Sequence, residues 1–282
     1  MIATKEKKQS IAIQGGLGSF HHMAASHIDG ATENKVVPCI EFEDVFRHTV
    51  DVAEGAGIVA IENTIAGSLL NNYRLLDRFP VQISGEIFLR IHQNLMALPG
   101  VDLSGISEIH SHPIALAQCY VFLKKYPHIK LIEAEDTAMV AERISATQNK
   151  TQAAIASKAA AEMFGLNIIA RGIENNPENY TRFLQLEKMQ HETAGRKASL
   201  SLILSHERGS LNKLLSIAYE EGLNLTKIQS LPIIGKAWHY RFYIDLEREN
   251  PMNRVWLEKV FGAVTDELKI HGIYTPGKFL ET

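Results

Sequence analysis

The residues best placed to do chemistry sit in three stretches of the 282-residue chain. In GIVAIENTIAGSLLNN, residues 57–72, an apolar run ends at Glu62, Asn63 and Thr64, and a helical pattern resumes after Gly67 and Ser68. A carboxylate, an amide and a hydroxyl at the carboxyl end of a buried strand suit the ligand-binding edge of an open α/β sheet, with Ser68 capping the next helix. The plainer alternative is that they hydrogen-bond the turn itself. In NPENYTRFLQL, residues 176–186, Asn179, Thr181 and Arg182 lead into Phe183 and an apolar strand. An arginine beside hydroxyl and amide donors is equipped to hold a carboxylate, although a threonine opening a strand and an arginine at a solvated edge are also common structural features. In IAIQGGLGSFHHMAA, residues 11–25, a strand meets a glycine turn and then a helix. The amides around Gly18 and Ser19 there either converge on an anion or only close a tight turn. No Gly-Lys-Ser/Thr follows, and the third glycine of the dinucleotide fingerprint is missing, which sets aside a Walker A or Rossmann site.

Other chemistries are set aside by what the spacing lacks. Around His21-His22 and His110-Ser-His112 there is no HExxH and no CxxC, and adjacent histidines cannot easily share an ion, so no metal is expected. His112, just before Pro113, reads as a cap for the helix that follows. The chain has no GxSxG elbow, and its two cysteines, Cys39 and Cys119, read as buried thiols of a reducing compartment. A net charge of -3, with no basic run beyond the KEKK at residues 5–8, argues against nucleic acid as a partner. No run approaches the roughly 20 apolar residues of a membrane span, and no apolar signal segment opens the sequence, so a cytoplasmic protein that does not engage a membrane is expected.

These side chains need elements to position them. Strands are predicted at 10–13, 57–61, 84–98, 108–110, 130–133, 153–156 and 181–186, alternating with helices at 20–27, 43–54, 69–79, 114–125, 137–145 and 158–164. That alternation predicts an α/β architecture with mainly parallel sheets. The run at 84–98 is long enough to carry the chain from one lobe into another. Polarity rises over 187–197, marking a linker. Beyond it ASLSLILS alternates with period two, and GSLNKLLSIAYEEG puts Leu211, Leu214, Leu215 and Ala218 on one helical face. Strands at 223–229 and 238–246 follow, then a helix with Leu257, Val260, Phe261, Val264 and Leu268 on one face, then a strand near 269–274. This βαββαβ order predicts a small ferredoxin-like sandwich of the kind used as a ligand sensor.

Together these segments resemble one family, the prephenate dehydratases of phenylalanine biosynthesis, in their monofunctional form with a C-terminal ACT domain. The resemblance runs in family order through GGLGSF, GIVAIENTIAGSLLNNYRLL, GEIFLRIHQNLMALPG, SHPIALAQC, EDTAMVAERIS, AAIASKAAAEMFGL and NYTRFLQL, and continues into GSLNKLLSIAYEEGLNLTKIQSLP and WHYRFYIDLE. It implies a two-lobed catalytic domain of the periplasmic-binding-protein type II kind over residues 1–190, with lobe 1 at about 1–80 plus 178–190 and lobe 2 at about 84–175, and an ACT regulatory domain over 196–276. The activity implied is decarboxylating dehydration of prephenate to phenylpyruvate, needing no cofactor, with phenylalanine as allosteric inhibitor and a homodimer or homotetramer as the assembly.

On this resemblance Thr181, Arg182, Phe183 and Glu62 are the expected catalytic residues, Thr181 assisting the leaving hydroxyl. Asn63, Thr64, Ser68, Thr137, Ala156, Ser157, Gly18, Ser19 and Asn179 are the expected substrate contacts. Gly209, Ser210, Leu211 and Asn212, with Gln229, Ser230, Leu231 and Pro232, are the expected effector site. Two positions depart from the family pattern. Ile114 stands where a glutamine is usual, and the segment from Gln229 to Pro232 lacks the usual acid and arginine. Arogenate dehydratase is the rival enzymatic reading, and a non-catalytic two-lobed amino-acid sensor is the rival from another class.

Overall fold

A computed structural model describes residues 9–28, 35–189 and 194–281. The basic run at 5–8 and residues 190–193 of the expected linker lie outside them.

The chain opens with β1 (Ser10–Gln14), α1 (Phe20–Ala25), β2 (Lys35–Cys39), α2 (Phe42–Asp51) and β3 (Gly55–Asn63). Then come the two-residue β4 (Gly67–Ser68), α3 (Leu70–Arg78) and β5 (Val81–Arg90). β1 lies parallel between β2 and β3. Ile11, Ala12, Ile13 and Ile58 are fully buried, as the uninterrupted apolar runs of a sheet covered on both faces require. Gly57 is demanded by packing, because a Cβ there would lie 2.6 Å from Thr49 Oγ1 and 2.8 Å from a Val45 methyl on α2. β2 was not foreseen. Pro38 interrupts its pattern, and the strand tolerates it because it is the edge of its sheet.

A second run holds β6 (Asn94–Ala97), β7 (Glu108–Ser111), α4 (Pro113–Gln118), α5 (Tyr120–Leu123), β8 (Lys130–Glu133), α6 (Thr137–Thr147), β9 (Gln152–Ala156), α7 (Lys158–Phe164) and β10 (Asn167–Ala170). The single strand expected over 84–98 is thus two, broken at residues 91–93, and it passes from the first sheet into the second. This second sheet, ordered β10-β6-β9-β7-β8, is mixed rather than mainly parallel. β7 runs parallel to β8 and β9, whereas β6 runs antiparallel to β9 and β10. No crossover helix separates β5 from β6, so nothing requires β6 to run with its neighbours. The chain returns through β11 (Tyr180–Lys188), and among the described residues the first sheet then reads β16-β5-β11-β3-β1-β2, with β4 on β3.

The last segment supplies β12 (Gly195–Ile203), α8 (Ser210–Glu220), β13 (Asn224–Pro232), β14 (Tyr240–Met252), α9 (Arg254–Phe261), β15 (Glu267–Tyr274) and the short β16 (Lys278–Leu280). The sheet β13-β14-β12-β15 is antiparallel throughout, which is the expected ferredoxin-like order. Leu214, Leu257 and Phe261 pack with Leu200, Leu202 and Ile270 in its core. α9 is shorter than its apolar pattern suggested: a 3-10 turn, Gly262–Val264, ends it, and Leu268 instead pairs with Leu202 in the sheet.

The chain divides into two compact units. The first comprises the described residues to Leu69, with Ile87–Phe183 and those from Phe279; the second comprises Leu70–Glu86 and Leu184–Lys278. Among the described residues, no helix is long and apolar enough to cross a membrane.

Candidate active site

Within the first unit a cavity of about 430 Å³ opens between the first and second sheets. Asn63, Ser68, Thr181, Phe183 and Ser19 line it from the first sheet and its helices, and Gln93, His112, Gln118, Glu135 and Thr137 from the second.

Asn63 sits at the last position of β3 and organises one wall. Its Oδ1 accepts from the backbone N–H groups of Ile65 (3.0 Å) and Ala66 (2.8 Å). Backbone amides can only donate, so the orientation of this side-chain amide is settled. Its Nδ2 therefore donates to Asn179 Oδ1 (2.7 Å), to Tyr180 O (3.1 Å) and to Thr181 Oγ1 (3.0 Å). The settled direction propagates. Asn179 Nδ2 donates to Gln118 Oε1 at 3.1 Å, which also receives Gln93 Nε2 at 3.4 Å. Thr181 Oγ1 is thus an acceptor toward Asn63, which leaves its proton to be donated elsewhere.

β11 alternates across its sheet. Thr181 and Phe183 line the cavity, whereas Arg182 does not; its guanidinium lies 5.9 Å from the centre of the Phe88 ring. Successive side chains of a strand leave opposite faces, so the expectation that Arg182 holds a substrate carboxylate is corrected. Glu62 does not line the cavity either; it faces Ser68 across the β3–β4 pair. Ser68 lies in that pair, two residues before α3, rather than at the immediate start of the helix as a cap would.

Several expected contacts hold the walls together instead of lining them. Thr64 Oγ1 donates to Glu178 O and accepts from Tyr180 N–H, both at 2.9 Å, pinning the segment that presents Thr181. Ser157 caps α7 through Ala160 N–H and donates to Gly18 O at 2.5 Å. Gly18 has φ +84°, and a Cβ there would lie 2.9 Å from Ala160 Cα, so only glycine serves. Its N–H donates to His22 Nδ1 at 3.0 Å, and Ser19 N–H donates to Gly16 O at 3.2 Å. Of the two readings of the glycine turn, these amides favour the tight turn over the anion cradle. Ala156 is buried in the β6–β9 ladder opposite Asn94.

Several lining residues were not singled out in the sequence. Gln93 and Gln118 looked like parts of a strand and a helix, yet Gln118 stands four positions after Ile114, one helical turn along, where it restores an amide to the cavity wall. Asp136 caps α6 through Met139 N–H (2.8 Å), and a Cβ on Gly15 would meet its Oδ2. His21, considered in the sequence only as a metal ligand, also lines the cavity: its Nε2 accepts from Ala60 N–H at 3.2 Å, and burial lowers its pKa to about 3. His112 caps α4 as expected, accepting from Ile114 N–H at 3.2 Å. Burial pushes the Cys119 thiol up to about 12, consistent with an inert core thiol.

In the second unit Ser210 and Leu211 line a cavity of about 380 Å³ with His206, Arg208, His239 and Phe242. Gly209 precedes α8, and Asn212 lies within it, but neither lines this cavity. Gln229, Ser230, Leu231 and Pro232 lie on the sheet-edge strand β13, also away from it.

Fold and site together define an α/β enzyme whose cleft is lined by amides of fixed hydrogen-bond direction, by hydroxyls and by the carboxylates of Glu135 and Asp136, with a ferredoxin-like segment after it. The model of one family, prephenate dehydratase, matches residues 11–191. The chain is 36% identical over 277 residues to the bifunctional chorismate mutase/prephenate dehydratase of Aquifex aeolicus (strain VF5), covering 95% of this chain and 74% of that protein. It is 35% identical over 254 residues to arogenate dehydratase 1 of Petunia hybrida, covering 84% and 59%. The solved structure of prephenate dehydratase in complex with L-Phe from Arthrobacter aurescens aligns with a TM-score of 0.81 at 24% identity, covering 94% and 90%. The chain belongs to the prephenate dehydratase family and is a lyase.

Proposed function

We propose that this enzyme converts prephenate to phenylpyruvate, water and CO₂ in phenylalanine biosynthesis. The observation that carries the reading is the hydrogen bond from Asn63 Nδ2 to Thr181 Oγ1 in the cavity wall. The ring carboxylate leaves as CO₂, the electrons of the broken C–C bond move through the ring, and the C4 hydroxyl departs, taking a proton to leave as water. Aromaticity of the new ring drives the step. The enzyme's task is to orient a dianion and help the hydroxyl leave. Thr181, accepting from Asn63, donates a hydrogen bond to that leaving oxygen, directly or through one water, solvent supplies the proton with which it leaves, and Ser68 and Thr137 hold carboxylate oxygens.

The catalytic part is taken as residues 1–190 and the regulatory ACT part as 196–276. Phenylalanine is the proposed feedback inhibitor, acting in a homodimer or homotetramer of a cytoplasmic enzyme. The relative solved with L-Phe supports the effector, and the place of β13 at the edge of its sheet among the described residues supports self-association.

A phenylpyruvate assay on the purified chain tests the reading. Thr181→Ala is expected to lose about 10²- to 10⁴-fold in kcat. A near-wild-type rate for that variant would remove Thr181 from the mechanism, and a wild type inactive on both prephenate and arogenate would refute the enzymatic reading. One observation favours arogenate as the substrate: Glu135 lines the cavity while no lysine or arginine does among the described residues, and a carboxylate can receive an ammonium group. The ratio of kcat/KM on the two substrates decides between them.

A further inference from the structure

His21 lines the same cavity as Thr181 and Phe183, and no step proposed above uses it. Its ring is held edge-on to Phe183, with centroids 5.0 Å apart, and to Phe42 at 5.6 Å. Ala60 N–H donates to Nε2 at 3.2 Å. A backbone amide donates only into a lone pair, so the proton of the neutral ring sits on Nδ1. Burial depresses the pKa to about 3, which keeps the ring neutral across physiological pH. Among the described residues Nδ1 has no protein partner, and it is not one of the buried polar atoms left unsatisfied. The ring therefore presents one N–H with no acceptor among the described residues, in a cavity that no lysine or arginine side chain among them lines.

We propose that His21 is a substrate-binding residue whose Nδ1–H donates to an oxygen of the bound substrate, a carboxylate or carbonyl oxygen of the keto acid. This rests on the function proposed above. The two phenylalanine rings set the imidazole plane and Ala60 sets the tautomer, so the donor is aimed before the substrate arrives. A neutral donor of fixed direction also avoids the desolvation cost of placing a cation in the cleft.

Two amide substitutions separate the two ring nitrogens. Gln reaches the Nε2 position and can keep the acceptor for Ala60 N–H while removing the donor at Nδ1. Asn places an N–H near Nδ1 and gives up the acceptor. Phenylpyruvate binding by calorimetry, steady-state kinetics on prephenate and thermal melting would be measured on wild type, His21→Gln and His21→Asn. His21→Gln is expected to melt near wild type, yet to weaken phenylpyruvate binding and kcat/KM about tenfold, the loss of one hydrogen bond. His21→Asn is expected to melt lower and to keep binding within about threefold of wild type. Undiminished binding by His21→Gln would overturn the inference, as would an equal loss in both variants, which would assign His21 only a packing role. A wild type that neither binds phenylpyruvate nor consumes prephenate would refute the underlying function and this inference with it. A wild type that does both, with His21→Gln unimpaired, would refute the inference alone.

Discussion

At the scale of single residues, Asn63 is decisive because its amide faces two kinds of partner at once. Oδ1 accepts from two backbone N–H groups and Nδ2 donates to Thr181, so each end has one permitted role. Asn63→Asp tests this with almost no change of shape. The new carboxylate still accepts from Ile65 and Ala66, but it can no longer donate to Thr181, whose hydroxyl must then turn its own proton toward it. We expect kcat to fall by about 10²-fold or more, and the melting temperature to fall as well, because the carboxylate also faces Asn179 Oδ1 and Tyr180 O, to which the amide donated. A large loss of stability with kcat retained would reverse the assignment. The amide, hydroxyl and carboxylate at this strand end were visible in the sequence as a group. Which of them meet the cavity was not, because Glu62 and Thr64 are directed elsewhere by the β3–β4 pair and by Tyr180.

At the scale of elements, the second unit is tied together by buried charges that no periodicity announces. Lys197 on β12 is almost fully buried between Glu86 (2.8 Å) on β5 and Glu247 (2.9 Å) on β14. Glu86 also accepts from Gly277 N–H at 3.1 Å. Removing only the cation leaves a carboxylate buried without its counterion, so Lys197→Ala should destabilise the chain by about 3–5 kcal/mol in urea unfolding. Asp77, at the end of α3, accepts from Ser201 at 2.9 Å and from Tyr243, with Arg241 at 3.3 Å and His271 at 3.3 Å from its carboxylate. Burial alone would raise its pKa, but His271, Tyr243 and Arg241 outweigh this and hold it at about 2, below the ordinary 3.8. A depressed carboxyl pKa contributes stability that is complete above the unfolded-state value and lost as pH falls through the folded one. The stability gap between wild type and Asp77→Asn, followed by melting temperature, should therefore be open above pH 4 and close as pH falls toward 2. A gap independent of pH in that window would mean that packing, not charge, supplies it.

At the scale of the whole molecule, the division into an α/β part and a ferredoxin-like part predicts that activity and its regulation are read out together. Millimolar phenylalanine should lower the rate on prephenate roughly fivefold or more, within the usual range of coupling between sites. An unchanged rate would overturn the proposed inhibition by phenylalanine, at the segment where Gln229 and Leu231 depart from the family pattern. The change of rhythm after the polar stretch at 187–197, from alternating strands and helices to βαββαβ, was legible in the hydrophobic period; that the second compact unit also takes in Leu70–Glu86 was not. The mixed pairing of the second sheet was not, since strand direction depends on the route the chain takes between strands, not on the strands' own residues.

The sequence by itself determined most of the elements and their order, though not β2, β4, β10, β16 or the break between β5 and β6, because burial on one face of a strand or helix imprints a period of two or about 3.6 on neighbouring positions. It also determined that polar groups cluster at the end of β3 and the start of β11. Only the tertiary structure decided which groups share a cavity. Asn63 meets Thr181 and Asn179 across more than a hundred positions of chain, Arg182 leaves the opposite face of its strand toward Phe88, and Gln118 completes the wall from the end of α4. The physical reason is that hydrogen-bond direction is relayed from one fixed donor to the next, from the backbone amides of Ile65 and Ala66 to Thr181. Such a relay exists only once the sheets that carry its members have come together.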